Sequence, residues 1–127
     1  MASALFEVTV DQQEGVTISA PRGKLKEFSS ALENFASTAK DGLRLQQQFD
    51  VGRFFSGAEN LIGVDEVGVF LAGTSEFFQN LSCNVPWDAE DPKLPVEYHV
   101  HYDKISFDWL LSENSLDLII YKQRDAN

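Results

Sequence analysis

Two short runs near the start of the chain place apolar residues at every second position. In LFEVTV (residues 5–10) Phe6, Val8 and Val10 share one face of a strand, and in VTISA (16–20) Val16, Ile18 and Ala20 do the same. The intervening DQQEG ends in a glycine suited to a turn, so the pattern predicts an opening β-hairpin. Pro21 and Gly23 break the second strand. From Lys24 the period changes to 3.6: Leu25, Phe28, Ala31, Leu32, Phe35, Ala36 and Ala39 form one stripe of a long helix that stops at Asp41-Gly42.

Beyond this helix the alternation returns. LRLQQQFDV (43–51) reads as a third strand, GRFFSGAENLIGVDE (52–66) as loop with a short strand or a turn of helix, and VGVFLAG (67–73) as a buried strand. TSEFFQNLSCN has Thr74 or Ser75 as a cap and Glu76 in the first turn, where the helix dipole favours a carboxylate, and so predicts a short helix. Three prolines in VPWDAEDPKLP demand an extended, exposed loop. VEYHVHY is a strand with Val96, Tyr98, Val100 and Tyr102 opposite the histidines. ISFDWLL alternates Ile105, Phe107 and Trp109 and equally fits one helical turn, and LDLIIYK closes the chain with Leu116, Leu118 and Ile120 inward. No internal repeat is visible. The expected architecture is a single α+β domain over residues 1–127, a mainly antiparallel sheet of five to seven strands packed on one long helix at about 24–40, with a second short helix at about 75–83.

Composition narrows the class. A chain that is 43% hydrophobic, with ten Phe and two Trp, is too apolar for disorder, and no apolar run reaches the roughly 20 residues that span a bilayer. The first residues lack the basic, apolar and small-residue regions of a secretion signal, so a cytoplasmic location is expected. The single Cys83 makes no internal disulfide and reads as a small, at least half-buried hydrophobe rather than a nucleophile.

Charge changes the picture further. Twenty acids against ten bases give −10, which repels nucleic acid and anionic lipid and favours basic partners. From Phe54 to Pro92 there are seven acids, Glu59, Asp65, Glu66, Glu76, Asp88, Glu90 and Asp91, and no Lys or Arg. An even spread of ten bases would put about three in that window. One reading makes these acids solvated loop charges around core Phe70, Phe77, Phe78 and Phe54; the other makes some of them, with Trp87, an outward patch for a cationic partner.

The chain's only histidines suggest different chemistry. His99, His101 and Asp103 lie at alternate positions and would share one strand face, as metal ligands do. Zinc and iron sites need three or four protein ligands, and no third histidine exists. The preferred reading is therefore a strand rim that touches a partner, with no metal and no cofactor; a small metal-dependent enzyme is the lesser alternative. No G-x-S-x-G elbow, phosphate loop or dinucleotide fingerprint is present, and adjacent carboxylates such as Asp65-Glu66 point to opposite faces if they lie on a strand.

The order of FEVTV, VTISA, the helix LKEFSSALENFA, the strand HVHYD and the closing SENSLDLIIYK resembles the small bacterial immunity proteins of polymorphic toxin systems, including contact-dependent growth inhibition. The resemblance covers the two ends of the chain and leaves residues 42–92 unmatched. It implies a non-enzymatic antidote that binds a cognate toxin, typically a nuclease, and fills its basic cleft. The expected contact set is Asp65, Glu66, Glu76, Trp87, Asp88, Glu90 and Asp91, with His99, His101 and Asp103 second. The alternative with the same electrostatics is a phage-type DNA mimic that disables a host nucleic-acid enzyme.

Overall fold

The computed structural model describes residues 6–11, 15–39, 46–87 and 98–123. Its elements in chain order are β1 (Glu7–Asp11), β2 (Gly15–Ala20), α1 (Arg22–Ala39), β3 (Gln46–Gln48), β4 (Arg53–Ser56), β5 (Leu61–Val64), β6 (Val69–Gly73), α2 (Ser75–Cys83), β7 (Tyr98–Tyr102) and β8 (Leu118–Lys122). They form two sheets of four strands, ordered β1-β2-β8-β7 and β3-β4-β6-β5. The expected single sheet of five to seven mainly antiparallel strands on one long helix is therefore wrong, although the α+β class holds. Each sheet joins two antiparallel hairpins through a parallel central pair, β2 with β8 and β4 with β6. Hairpins are local and leave a mark in the sequence. Which hairpins then lie side by side is decided by contacts far apart along the chain, and no local pattern records it.

The two halves of the chain have the same order, ββαββ followed by ββαββ. Exchanging β1 with β5, β2 with β6, α1 with α2, β3 with β7 and β4 with β8 turns one sheet into the other, with every parallel and antiparallel pairing preserved. Details agree with this exchange. Ser29 of α1 donates its hydroxyl to the carbonyl of Ser82 in α2 at 2.9 Å, and these two serines, 53 residues apart, are equivalent positions where the helices meet. Gly15 and Gly68, at the same separation, are the only described residues with the left-handed φ values that suit glycine, 103° and 140°. Each opens a central strand, in Gly15-Val16 and Gly68-Val69, after a Val-Asp pair at Val10-Asp11 and Val64-Asp65. The strand ends match as well: Gln123 N donates to Ala20 O and Gly57 N to Gly73 O, both at 2.9 Å. The repeat escapes the sequence because aligned positions differ, as in Gln-Gln-Gln-Phe-Asp (46–50) against His-Val-His-Tyr-Asp (99–103).

One core takes residues from both sheets and both helices. Leu25, Phe28, Leu32, Phe35 and Ala36 of the predicted stripe are buried, as are Val16, Ile18, Leu118 and Ile120 from one sheet and Phe54, Ile62 and Leu71 from the other. Phe54 sits at its centre, with ring centroids of Phe28, Phe35, Phe49 and Phe78 at 5.7–6.4 Å. Helix α2 starts as anticipated: Thr74 is the N-cap and its Oγ1 accepts the N–H of Phe77 at 3.2 Å.

Several local expectations need correction. The alternation of Phe6, Val8 and Val10 puts these residues on one strand face, but in β1 that face is not buried. β1 is an edge strand exposed at all five positions, with Phe6 half-buried just before it. Residues 52–66, which read mainly as loop, supply the two strands β4 and β5. ISFDWLL is a succession of turns, and Leu116 precedes β8 and is half-buried. Cys83 is exposed rather than buried.

Candidate functional site

The acidic segment that looks free of cations in sequence is not free of them in space. Asp65 closes the turn between β5 and β6: its Oδ1 accepts the N–H groups of Val67 at 2.9 Å and Gly68 at 3.2 Å. The same oxygen is ion-paired with the Arg53 guanidinium. Arg53 stands one residue before the base-free window, and its guanidinium lies 5.4 Å from the Phe55 ring and 6.0 Å from the Phe70 ring. The hydrogen bond from Arg53 is the main cause that holds the Asp65 carboxyl below its usual range. Asp65 is exposed, but its carboxylate is already engaged by the turn and by Arg53 rather than standing as an unneutralised surface charge.

The remaining described members of that set do not converge. Glu66 is exposed on the turn that precedes β6, whereas Glu76 is exposed in the first turn of α2, just past the other end of β6. A five-residue strand at about 3.3 Å per residue puts roughly 17 Å between those two ends. Trp87 is half-buried against the core, with Lys26 Nζ 5.1 Å from its ring centroid. It is a packing residue carrying a second cation from outside the segment. Glu59 accepts hydrogen bonds from Ser112 Oγ and Asn114 Nδ2, first the serine and then the asparagine lowering its carboxyl pKa. Asp88, Glu90 and Asp91 lie outside the described residues.

The histidines occupy the expected face. His99 and His101 are exposed on β7, an edge strand, while Tyr102 on the opposite face is buried. Their ring centroids are 5.0 Å apart, and His99 lies 5.1 Å from the ring of Tyr121 on β8. Asp103 does not join them: its Oδ1 accepts the N–H of Ser106 at 2.9 Å and so caps the turn that leaves the strand. Among the described residues no three His, Cys, Asp or Glu side chains come together as a metal site would require.

A feature that the sequence pattern does not reveal lies in the connection between β7 and β8. Ile105 is 91% exposed and Trp109 62% exposed, against an expectation of alternating strand residues. Around them the segment is firmly held. Leu110 and Leu111 are buried, Ser112 N donates to Asn60 O at 2.8 Å, Leu116 N donates to Ile62 O at 2.8 Å, and Ile62 N donates to Ser115 Oγ at 2.9 Å. These bonds run along β5 and occupy the outer edge of its sheet. Asn60 is the junction: its Nδ2 donates to Leu110 O at 3.0 Å, and its Oδ1 accepts Thr74 N at 2.8 Å. The signal that would have exposed this segment is a comparison of the two halves, since the matching connection between β3 and β4 spans only residues 49–52.

No described helix is long and apolar enough to cross a membrane. No protein-family model, curated protein or solved structure matches this chain.

Proposed function

We propose that this protein is a non-enzymatic binding protein that captures a cationic protein partner, of the antidote kind implied by its resemblance to bacterial immunity proteins. The observation that supports this reading is the excess of acid over base, twenty Asp and Glu against ten Lys and Arg. Arg53 pairs with Asp65, Lys24 Nζ lies 3.2 Å from Glu27 Oε2, Lys26 sits over Trp87, Lys104 Nζ donates to Glu113 O, and Arg22 and Lys122 also have partners. Glu66, Glu76, Asp108 and Glu113 are among the exposed residues and add to the negative surface. With a net charge of −10, the protein surrounds itself with negative potential that speeds encounter with a basic protein and disfavours nucleic acid and anionic membrane. A toxin domain whose cleft is built for phosphate is such a partner.

The test is co-expression with the polypeptide encoded immediately upstream, followed by size-exclusion chromatography of the complex and stopped-flow mixing of the purified partners at two salt concentrations. The expected result is a complex whose association rate falls about tenfold or more between 50 mM and 500 mM salt, together with loss of the partner's toxicity. No complex, or a complex indifferent to salt, refutes the reading. Competition by duplex DNA across several unrelated nucleic-acid enzymes would identify a DNA mimic instead.

A further inference from the structure

We propose that the connection at residues 103–117 is the partner-binding surface, with Trp109 as its principal anchor and Ile105 as a second, and that it fits an apolar pocket rimmed by Lys and Arg on a protein partner. The inference rests on the binding role just proposed and assigns that role a surface.

The repeat separates what the fold needs from what it does not. Residues 49–52 join β3 to β4 by a tight turn with reciprocal bonds, Phe49 N to Gly52 O at 2.9 Å and Gly52 N to Phe49 O at 3.1 Å. The equivalent strands β7 and β8 therefore need no longer link, and residues 103–117 are an addition to one half only. Part of the addition supports the fold, since Leu110, Leu111 and Ser115 are buried and the backbone covers the edge of β5. Ile105 and Trp109 contribute little to that support. At 91% and 62% exposure they hold large apolar surfaces in water that polar residues would hold at lower cost.

A lone exposed tryptophan is ordinary on a protein surface; here the support beneath it is the informative part. The buried ring of Tyr102 stacks on Phe107 at 4.3 Å, and Phe107 lies 6.4 Å from Trp109, so an aromatic series runs from core to surface. The backbone on either side is fixed by Phe107 N to Asp103 O at 3.0 Å, Leu111 N to Phe107 O at 2.8 Å, and Lys104 N to Asp117 Oδ1 at 3.1 Å. A ring presented this way loses little freedom when a partner closes over it, which is the condition for an interface anchor. The flanking charges select the partner. Asp108, beside Trp109, and Glu113 are exposed, while the nearby Lys104 amine is engaged by Glu113 O. Asp103, Asp108, Glu113 and Asp117 against Lys104 give this connection a net negative charge around its exposed apolar residues in sequence, which a cationic rim on the partner complements.

The test places p-benzoylphenylalanine at position 109 and, as a control, at exposed Ser37 of α1, in the cells that make the protein. The expected result is one cationic protein crosslinked from position 109 and not from 37. With that partner purified, Trp109→Ala should weaken binding about 30-fold or more, the effect of a hot spot, and Asp108→Asn with Glu113→Gln should slow association at low salt. The melting temperature of Trp109→Ala should match the parent. A complex that forms but crosslinks equally from position 37, or that tolerates Trp109→Ala within threefold, overturns this assignment and leaves the binding role standing. If no cationic protein is bound at all, both fall.

Discussion

Gly15 and Gly68 occupy equivalent places in the two halves, yet substitution by alanine should cost very different amounts. Both backbones have left-handed φ, 103° and 140°, which an alanine adopts only with strain of about 1–3 kcal/mol. At Gly68 that is the whole penalty, because an added Cβ meets nothing within 4 Å. Part of it is returned by the lower entropy of the unfolded alanine chain, leaving about 1–2 kcal/mol. At Gly15 the Cβ would overlap the backbone carbonyl of Asp117, which cannot rotate away as the end of a side chain would. That carbonyl accepts Val16 N at 2.8 Å at the start of the parallel register Val16 to Leu118, so moving it also weakens a ladder bond worth about 1 kcal/mol. Strain, overlap and the lost bond together give about 3–4 kcal/mol for Gly15→Ala. For 127 residues at about 2.1 cal/mol/K each, a loss of 1 kcal/mol lowers Tm by about 4 °C. Gly68→Ala should therefore drop Tm by about 4–8 °C and Gly15→Ala by about 11–15 °C, read by calorimetry and checked by urea denaturation with unchanged m-value. Equal costs at the two glycines, or a Gly15→Ala protein within 1 kcal/mol of the parent, would refute the packing of β2 against Asp117.

Three further outcomes are expected. Phe54→Ala should cost about 3–5 kcal/mol because it empties the centre of the aromatic core, whereas Phe55→Ala, on the half-exposed outer face of the same strand, should cost under about 1.5; urea titrations of both variants decide this. Asn60→Ala removes the acceptor for Thr74 N and Thr74 Oγ1 and the donor to Leu110 O, and should lose about 2–3 kcal/mol, with amide exchange accelerating in both the start of α2 and residues 103–117. The Asp65 carboxyl is held below its ordinary value of 3.8, so its ion pair stabilises the fold above that value and ceases to do so as pH falls through the lower folded value. Denaturation midpoints of the parent and Asp65→Asn should accordingly differ at pH 6 and draw together as the pH falls below 3.8; a gap that widens on acidification would contradict the pairing.

The same two carboxylates show why the site was harder to see than the elements around it. Glu66 and Asp65 are neighbours in sequence with identical charge, but Arg53 reaches one of them across the sheet, since β5 and β4 flank β6. A window that begins at Phe54 misses that arginine by one residue, and Lys26 arrives over Trp87 from an element much farther away along the chain. Charge counted along a segment therefore misstated the charge displayed by the surface. The histidine face was legible, because a strand alternates whatever it packs against. Asp103 departed from that face because the chain turns there to cap Ser106.

Local physics was written in the sequence. The apolar stripe from Leu25 to Ala36 with its buried face, the β1 and β2 hairpin, and the Thr74 cap each depend on residues within a few positions of one another, and backbone sterics and hydrogen bonding resolve them without distant help. Tertiary structure decided that there are two sheets, that hairpins from opposite ends of the chain share one of them, and that the halves repeat one ββαββ plan. It also decided that Ile105 and Trp109 stand in solvent while Phe107 between them lies half-buried against Tyr102. The pairing of β2 with β8 and the exposure of Trp109 both depend on what lies alongside in space, and residues far apart along the chain determine that.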